Sequence, residues 1–566
     1  MTSEQITRRA SDDVARHWVE AACAGASVLQ TDVLVLGAGM AGLRAAVRAR
    51  TLGRNVVLAY TGRGASPFII GCNAPFAHAD PDDTPEQYAA DVIAGGCGLS
   101  DRRLVEVLTG KAVGAVRELA GLGAPMARAD DRFCQRQLSG NWYARSVYHP
   151  EGLGAQALPA LSARARELGV IMLSGHRAVR LLFDERRVCG ALLRSQAGER
   201  WQVVRANAVV MALGGIGQLY DDSTYPGDVT ASSYALGLEA GAPLVDMEFV
   251  QFEPLCTFEP ESLRALELPT SMLAEGAWLL NGRGERFMFR YNPEWGERRI
   301  EKARLSLCIQ QEIDEGRGVG GGVLYDATRV PAAVVEGYVR HCKRLRNAGL
   351  DPTRLRVPVR PAAHSQMGGL WIDPDAATPV AGLYAAGEAA GGVHGASRIA
   401  GNGGADALVF GDVAGAAAAA EPAVDSGDLH RVVHAAFSAL ASVGHARGEL
   451  DPRDAQTRIR RTMAECVGIH RSAAGLQSAI DALDELASQL VCDARADTDL
   501  RRVDAFAALG MTRVARAIAA SALARTESRG AHQRRDHPDT DEAWRTHLAV
   551  RLDTGARMHI DREAVL

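Results

Sequence analysis

Gly37-Ala38-Gly39-Met40-Ala41-Gly42 is the first stretch of this 566-residue chain whose residue types and spacing can do chemistry. In such a G-x-G-x-x-G run, Gly37 permits a tight turn, Gly39 removes the Cβ that would block a pyrophosphate, and Gly42 lets a helix approach a sheet. The free N–H groups and positive dipole at the helix start favour a phosphate, so Met40 and Ala41 belong to the same site. The acid that usually closes the second strand to hold a ribose is missing, since Ala59, Tyr60 and Thr61 stand there. That weakens a nicotinamide reading more than a flavin one, because a flavin cofactor is gripped along its whole length. Far downstream, Gly387-Glu388 ends a strand, and Asn402-Gly403-Gly404 opens a helix. Glu388 could accept from sugar or ribitol hydroxyls. A second backbone-dense turn at a second helix start suits the anionic edge of a reduced isoalloxazine. Two such turns fit a cofactor with two distant ends, which is FAD. Gly71, Gly214 and Gly215 complete the expected cofactor contacts.

These turns need elements to hold them. Residues 31–37 form a mostly apolar run into glycine, as a buried parallel strand requires. A helix rich in Ala and Arg is expected from Met40 to about Leu52, then a second buried strand from Asn55 to Ala59, completing a β-α-β unit. Residues 84–122 read as helical, and 207–211 as another strand. From 250 to 360 the patterns become short and broken, as in an inserted domain. Glycine dominates from Met367 to Gly411, and helical periodicity follows to about Ala524, before a charged tail. The run Ala414–Ala420 is too short to span a membrane and reads as a tightly packed helix.

Composition narrows the partners. Sixty-three basic against 68 acidic residues leave a net charge of −5, which argues against a nucleic-acid binder. Ten scattered cysteines, none in C-x-x-C spacing, give no iron–sulfur or zinc motif and read as reduced thiols. Hence no metal site is expected. The charged first 30 residues exclude a secretory leader, and nowhere do about 18 uncharged apolar residues run together. A cytoplasmic protein is expected, free or held at a membrane through a partner subunit.

Eight stretches in order resemble the flavoprotein subunit family of succinate dehydrogenase and fumarate reductase, which includes L-aspartate oxidase: Gly37–Gly42, Gly214–Gly217, Glu248–Phe252, Asn281–Met288, His364–Gly369, Gly387-Glu388, His394–Arg398 and Arg525–His532. The resemblance spans almost the whole chain. It implies an α/β fold: a Rossmann-type FAD-binding domain (31–249 and 363–422), an inserted α+β capping domain (250–362) and a C-terminal helical domain with a tail (423–566), after a helical leader (1–30). It also implies a small carboxylic acid substrate between flavin and cap. By resemblance Arg398, also near the flavin, grips the substrate carboxylate, and its planar fork can do so bidentately. His364 would donate to the same carboxylate. The family's proton-carrying arginine falls near Arg304, with Arg298 and Arg299 as rivals because 294–303 is rewritten, and Glu275 resembles the relay glutamate. The tail motif at 525–536 reads as a charged structural latch.

Three departures matter. The family's Gln-Phe-His-Pro-Thr is Gln251-Phe-Glu253-Pro-Leu255 here, so a carboxylate would face the far carboxylate of a dicarboxylic acid, a repulsive arrangement in a low-dielectric site. Either Glu253 is protonated or paired, or the far end of the substrate is not an anion. The arginine of the family's Arg-Gly-Glu-Gly run is Leu273. Residues 63–73 hold no histidine, so FAD is expected to be non-covalent. The expected reaction moves a hydride between flavin N5 and a carboxylic acid, by dehydrogenating a saturated acid or reducing an α,β-unsaturated one. The alternatives are amine oxidation in the manner of L-aspartate oxidase and the role of a non-catalytic subunit. With no cluster or haem motif in the chain, electrons would come from or go to a separate iron–sulfur subunit, to oxygen, or to and from a soluble partner.

Overall fold

The computed structural model describes residues 15–184, 187–197, 200–423, 428–442, 450–490, 499–553 and 555–566. Of the expected leader, residues 1–14 lie outside these; 15–25 are helical, and the first strand already starts at Ser27. This strand, β1 (Ser27–Leu36), is fully buried from Val33 onward, where its residues become continuously apolar. It leads through Gly37 into α1 (Met40–Thr51) and on to β2 (Val56–Tyr60), which lies parallel to β1 with Val33 opposite Val56. On its other side β1 pairs in parallel with β3 (Trp201–Met211), Leu36 opposite Met211. The strand read at 207–211 is only the apolar end of β3, because Gln202 and Arg205 interrupt the pattern before it. Across the sheet the order is Ile171–Ser174, β2, β1, β3, Arg187–Ser195, His176–Asp184, with Leu383–Ala385 added in parallel to β3.

The inserted domain builds a second sheet. It contains β4 (Val250–Thr257), α2 (Lys302–Asp314) and β5 (Val357–Gln366), with Val323–Asp326 and Trp278–Leu280 extending the sheet beyond β5. Its core, with Leu279, Ile309, Val323, Val335 and Val357 fully buried, is separate from that of the FAD domain. That is the physical reason the sequence pattern breaks at 250. The expected boundary at 362/363 falls inside β5, so His364 sits near the end of a cap strand.

After the cap, α3 (Asn402–Ala420) crosses α1 at backbone contact: a Cβ on Gly411 would lie 2.6 Å from the Ala41 carbonyl oxygen, and one on Gly415 would lie 2.4 Å from that of Ala45. The C-terminal helices end in α4 (Asp499–Ala524). Among the described residues, one helix, Arg501–Ala524, is long and apolar enough to cross a membrane, but about half of it is buried inside the protein. The end of the chain is not a loose charged tail. Thr546–Leu552 and Met558–Ala564 pair and join Leu244–Val245, Gly369–Trp371 and Ala390–Gly391 in a five-stranded sheet, returning the terminus to the FAD domain.

The latch read at 525–536 is a buried charge network. Arg525, wholly buried, donates to Glu248 Oε1 (2.6 Å), Glu527 Oε1 (3.0 Å) and the carbonyl oxygens of Trp544 and Thr546. Arg471 donates to the Glu248 carbonyl at 2.6 Å and lies 2.9 Å from His532 Nδ1. Glu248 stands two residues before β4, so the network fixes the entry to the cap. Removing one member strands buried charge, and Arg525→Met is expected to cost about 3–5 kcal/mol in denaturant unfolding. Adding Glu248→Gln should recover part of that loss; a double variant no better than the single one would contradict the pairing.

Candidate functional site

The glycine turns singled out in the sequence converge at the carboxyl ends of β1 and β3. Gly37 has φ +107, and a Cβ there would lie 2.1 Å from the Ala212 carbonyl oxygen. Gly215 abuts the Glu388 carboxyl group and Gly404 the backbone of Gly71, each too close for an added side chain, and Gly387 (φ +64) packs tightly on Ala41. Gly214 (φ +81) packs beside Val229, and Gly403 lies against the Arg398 guanidinium. At the start of α1 the Met40 N–H donates to Ser66 Oγ at 2.9 Å, and a side chain on Gly39 would displace that hydroxyl. Beyond the end of β2 lies a cavity of about 320 Å³, lined by Thr61, Val179, Leu213, Asp228 and, from α4, Phe506 and Gly510. Asp228 accepts from the Gly64 N–H at 3.0 Å. It places beside β2 the carboxylate that Tyr60 and Thr61 do not supply. Two glycine-built turns at helix starts and a cavity at one end fit FAD: the α1 turn for the pyrophosphate, the cavity for the adenosine, the α3 turn for the ring.

Two predicted cofactor contacts are already engaged. Glu388 accepts from the Tyr225 hydroxyl and from the Gln366 N–H at 2.8 Å, and burial raises its pKa. The Asn402 side-chain oxygen accepts from the Tyr88 hydroxyl and the Asn73 amide, both at 2.7 Å, while its amide nitrogen is buried without a partner.

Beside this groove the β4–β5 pairing sets Gln251 opposite Ser365 and Phe252 opposite Ala363. The Gln251 amide donates to the Arg398 carbonyl (3.1 Å) and Ser397 Oγ (3.3 Å), while its oxygen accepts from Arg398 at 3.4 Å. Arg398 Nε is buried and has no hydrogen-bond partner. Lys302, in the first turn of α2, lines the same small pocket as Arg398, together with Ser139 and Gly140. Its ammonium bonds Glu253 Oε2 and lies 3.7 Å from Glu267 Oε1. His364 Nε2 lies 3.7 Å from Glu253 Oε2, and its Nδ1 lies 3.0 Å from Thr224 Oγ1.

The electrostatics of this cluster are mutual. Burial raises the fully enclosed Glu253 carboxyl to about 7, against the downward pull of Lys302. Burial also opposes charge on Lys302, but Glu253 and Glu267 outweigh it and lift its pKa above the ordinary lysine value. Glu267 is desolvated too, yet the Lys302 ammonium holds it below the usual carboxylate range. His364 is driven down to about 3, chiefly by burial, and is neutral.

The structure brings Glu253, His364 and Arg398 together but leaves out two of the residues expected with them. Arg304 is exposed on α2. Two residues apart on a helix means roughly 200° around it, so Lys302 faces the pocket and Arg304 faces solvent. Arg298 and Arg299 stack on Trp295 instead. Glu275 is exposed and accepts from the Tyr338 hydroxyl at 3.0 Å, while Glu267 occupies the cluster. Sequence reasoning missed Lys302, Glu267, Gln251, Thr224 and Asp228. Only Lys302 left a signal, as the one residue of 298–304 that is cationic and on the same helix face as the buried Leu305, Ser306 and Ile309.

What the groove and the pocket define together is an FAD-dependent oxidoreductase. Comparison with known proteins narrows this. The FAD binding domain family matches residues 32–403, and the fumarate reductase flavoprotein C-terminal family matches 456–566. A fumarate reductase (CoM/CoB) subunit of Methanothermobacter marburgensis is 32% identical over 92% of this chain and 97% of its own. An L-aspartate oxidase of Streptomyces coelicolor is 34% identical over 93% and 92%. A solved chain of E. coli quinol fumarate reductase superposes with a TM-score of 0.88 at 26% identity, covering 95% of this chain and 97% of that one. The chain belongs to the succinate dehydrogenase and fumarate reductase flavoprotein family, which includes L-aspartate oxidase.

The neutral state of His364 is directly measurable. In ¹⁵N-histidine NMR its ring signals should stay constant between about pH 5 and 9; titration near the ordinary value of 6.5 would contradict the burial argument. The unfolded chain takes up this proton and the folded chain does not, so His364 draws stability down as the pH falls from about 6.5 towards 3.

Proposed function

We propose that the enzyme reduces an α,β-unsaturated carboxylic acid, with Arg398 as carboxylate anchor and Lys302 as proton donor. One observation carries this: Lys302 and Arg398 line one pocket at the flavin end of the groove, and Lys302 is held between two carboxylates. Bound FAD supplies a hydride at N5. Arg398 grips the substrate carboxylate through its planar fork and stabilises the charge that builds on it as the hydride arrives. The neutral His364 imidazole, oriented by Thr224, offers that carboxylate a second hydrogen bond. The Lys302 ammonium then gives its proton to the carbon next to the carboxylate. Beside Glu253 and Glu267 the Lys302 pKa stays above the ordinary lysine value, so Lys302 enters the cycle carrying the proton that reduction needs. Glu253, bonded directly to Lys302 and raised to about 7, is the group that can carry the replacement proton.

The cofactor is held without a covalent bond. Residues 63–73 contain no histidine, and His78 is engaged elsewhere, accepting from the Phe133 N–H at 3.0 Å and stacking beside Phe76 and Phe133. Electrons come from a separate protein partner or a soluble donor, in keeping with relatives named as subunits of a reductase. A cytoplasmic setting suits the nine described cysteines, all of them free thiols. The amine-oxidising alternative has the L-aspartate oxidase relatives in its favour.

Anaerobic photoreduction followed by reoxidation with a panel of unsaturated acids tests the reaction. Release of ammonia and hydrogen peroxide from an amino acid would select the amine route instead. Lys302→Met should slow turnover about 10²–10⁴-fold and also weaken acid binding, because Glu253 and Glu267 lose their counter-ion. Arg304→Ala should stay within about twofold of wild type, as expected of an exposed side chain; the opposite ranking would return the proton to Arg304. Acid precipitation should release all the flavin into the supernatant, whereas yellow protein in the pellet would reveal a tether.

A further inference from the structure

Arg398, Lys302 and the exposed Glu301 line the pocket, and the two carboxylates Glu253 and Glu267 stand behind Lys302. Lys302 is the only one of the two cations engaged by both carboxylates, which leaves Arg398 to answer one carboxylate from the substrate. The unmet hydrogen bonds point the same way. Arg398 Nε is buried and lacks an acceptor, and Glu253 Oε1 is buried and lacks a donor, while Glu253 Oε2 is taken by Lys302. A ligand that satisfies both atoms brings one acceptor group to the arginine and one donor to the glutamate. A dicarboxylate brings two anions and no donor. Its second carboxylate would meet Glu253, and a like-charge contact in a desolvated site is costly.

We infer that the substrate is a monocarboxylic acid whose far end is a hydrogen-bond donor, an ammonium, amide or hydroxyl group, and that the pocket rejects dicarboxylic acids. This rests on the reading of Arg398 as the carboxylate anchor. Around Glu253 stand Lys302 from α2, His364 from β5, Glu267, Arg398 and, on its own strand, Cys256. With burial holding Glu253 near 7, its charge is fully developed at pH 8.5, where the selectivity is greatest.

The test uses the intact holoenzyme and three acids that share a propanoate frame and end differently: β-alanine in an ammonium, butyrate in a methyl group, succinate in a carboxylate. Binding is read anaerobically at pH 8.5 from the shift each causes in the flavin absorbance. β-Alanine should bind at least about tenfold more tightly than succinate, with butyrate between them. Glu253→Gln, which keeps the shape and removes the charge, should narrow that gap by strengthening succinate. Flavin content and melting temperature confirm that the variant is folded, and Glu267→Gln, at a half-buried position, serves as the second variant with the same expected direction. Tightest binding of succinate by the wild type overturns the inference, as does a gap that neither variant changes. If none of the three acids perturbs the flavin, and Arg398→Lys alters nothing, the acid-anchor reading itself falls.

Discussion

A wholly buried guanidinium stands where the three parts of this protein meet. Arg525, just past the end of α4, reaches Glu248 at the entry to the cap and the carbonyl groups of Trp544 and Thr546 near the C-terminal strands. Ion pairs out of water are expensive, and here Glu527, Arg529 and Arg471 extend the pair into a network that answers all but Glu248 Oε2 and one Arg471 nitrogen. The consequence is positional. β4 begins two residues beyond Glu248, and β4 carries Gln251 into the pocket and Glu253 to Lys302. The helical domain therefore acts on the chemistry without touching it, by fixing where the first cap strand starts.

From that fixed strand the pocket is a problem in electrostatics. A glutamate replaces the histidine of the family pattern at 253, and an unpaired negative charge there would have left the site unable to hold any anion. The fold answers with Lys302, set at the start of α2 where its long side chain can reach Glu253 and Glu267 together. A lysine in that place differs in kind from an arginine. Its ammonium is a compact point charge with a pKa that responds to its surroundings, whereas a guanidinium keeps its proton in almost any environment. In the mechanism we propose, proton transfer at this position thus depends on the two carboxylates as much as on the lysine.

Most of the scaffold was legible in the residues, and part of the site was not. The β-α-β unit, the convergence of glycine turns and the packed alanine helix follow from steric demands that act locally, so Gly37 and Gly42 announce themselves. The strand ends were blurred wherever charged residues interrupt an apolar run, as at Arg205 in β3. The C-terminal strands were read as a charged tail because Arg551, Asp561 and Glu563 pair across them on the exposed face. The cluster around Lys302 was misplaced for a different reason. Glu253, Glu267, Lys302 and His364 come from four segments, and only the cap's tertiary packing decides which of several neighbouring acids and bases turns inward. Arg304 and Glu275 have the expected chemistry at nearly the expected positions, but a helical turn and a surface loop point them outward.

The cavity beyond β2 has walls drawn from opposite ends of the polypeptide: Thr61 from the first β-α-β unit, and Phe506 and Gly510 from α4. During vectorial synthesis the first wall leaves the ribosome long before the second exists. The nascent chain thus has no closed receptacle for an adenosine until nearly all of it has emerged, and maturation of the holoenzyme belongs to the last stage of biogenesis rather than to the folding of the first domain.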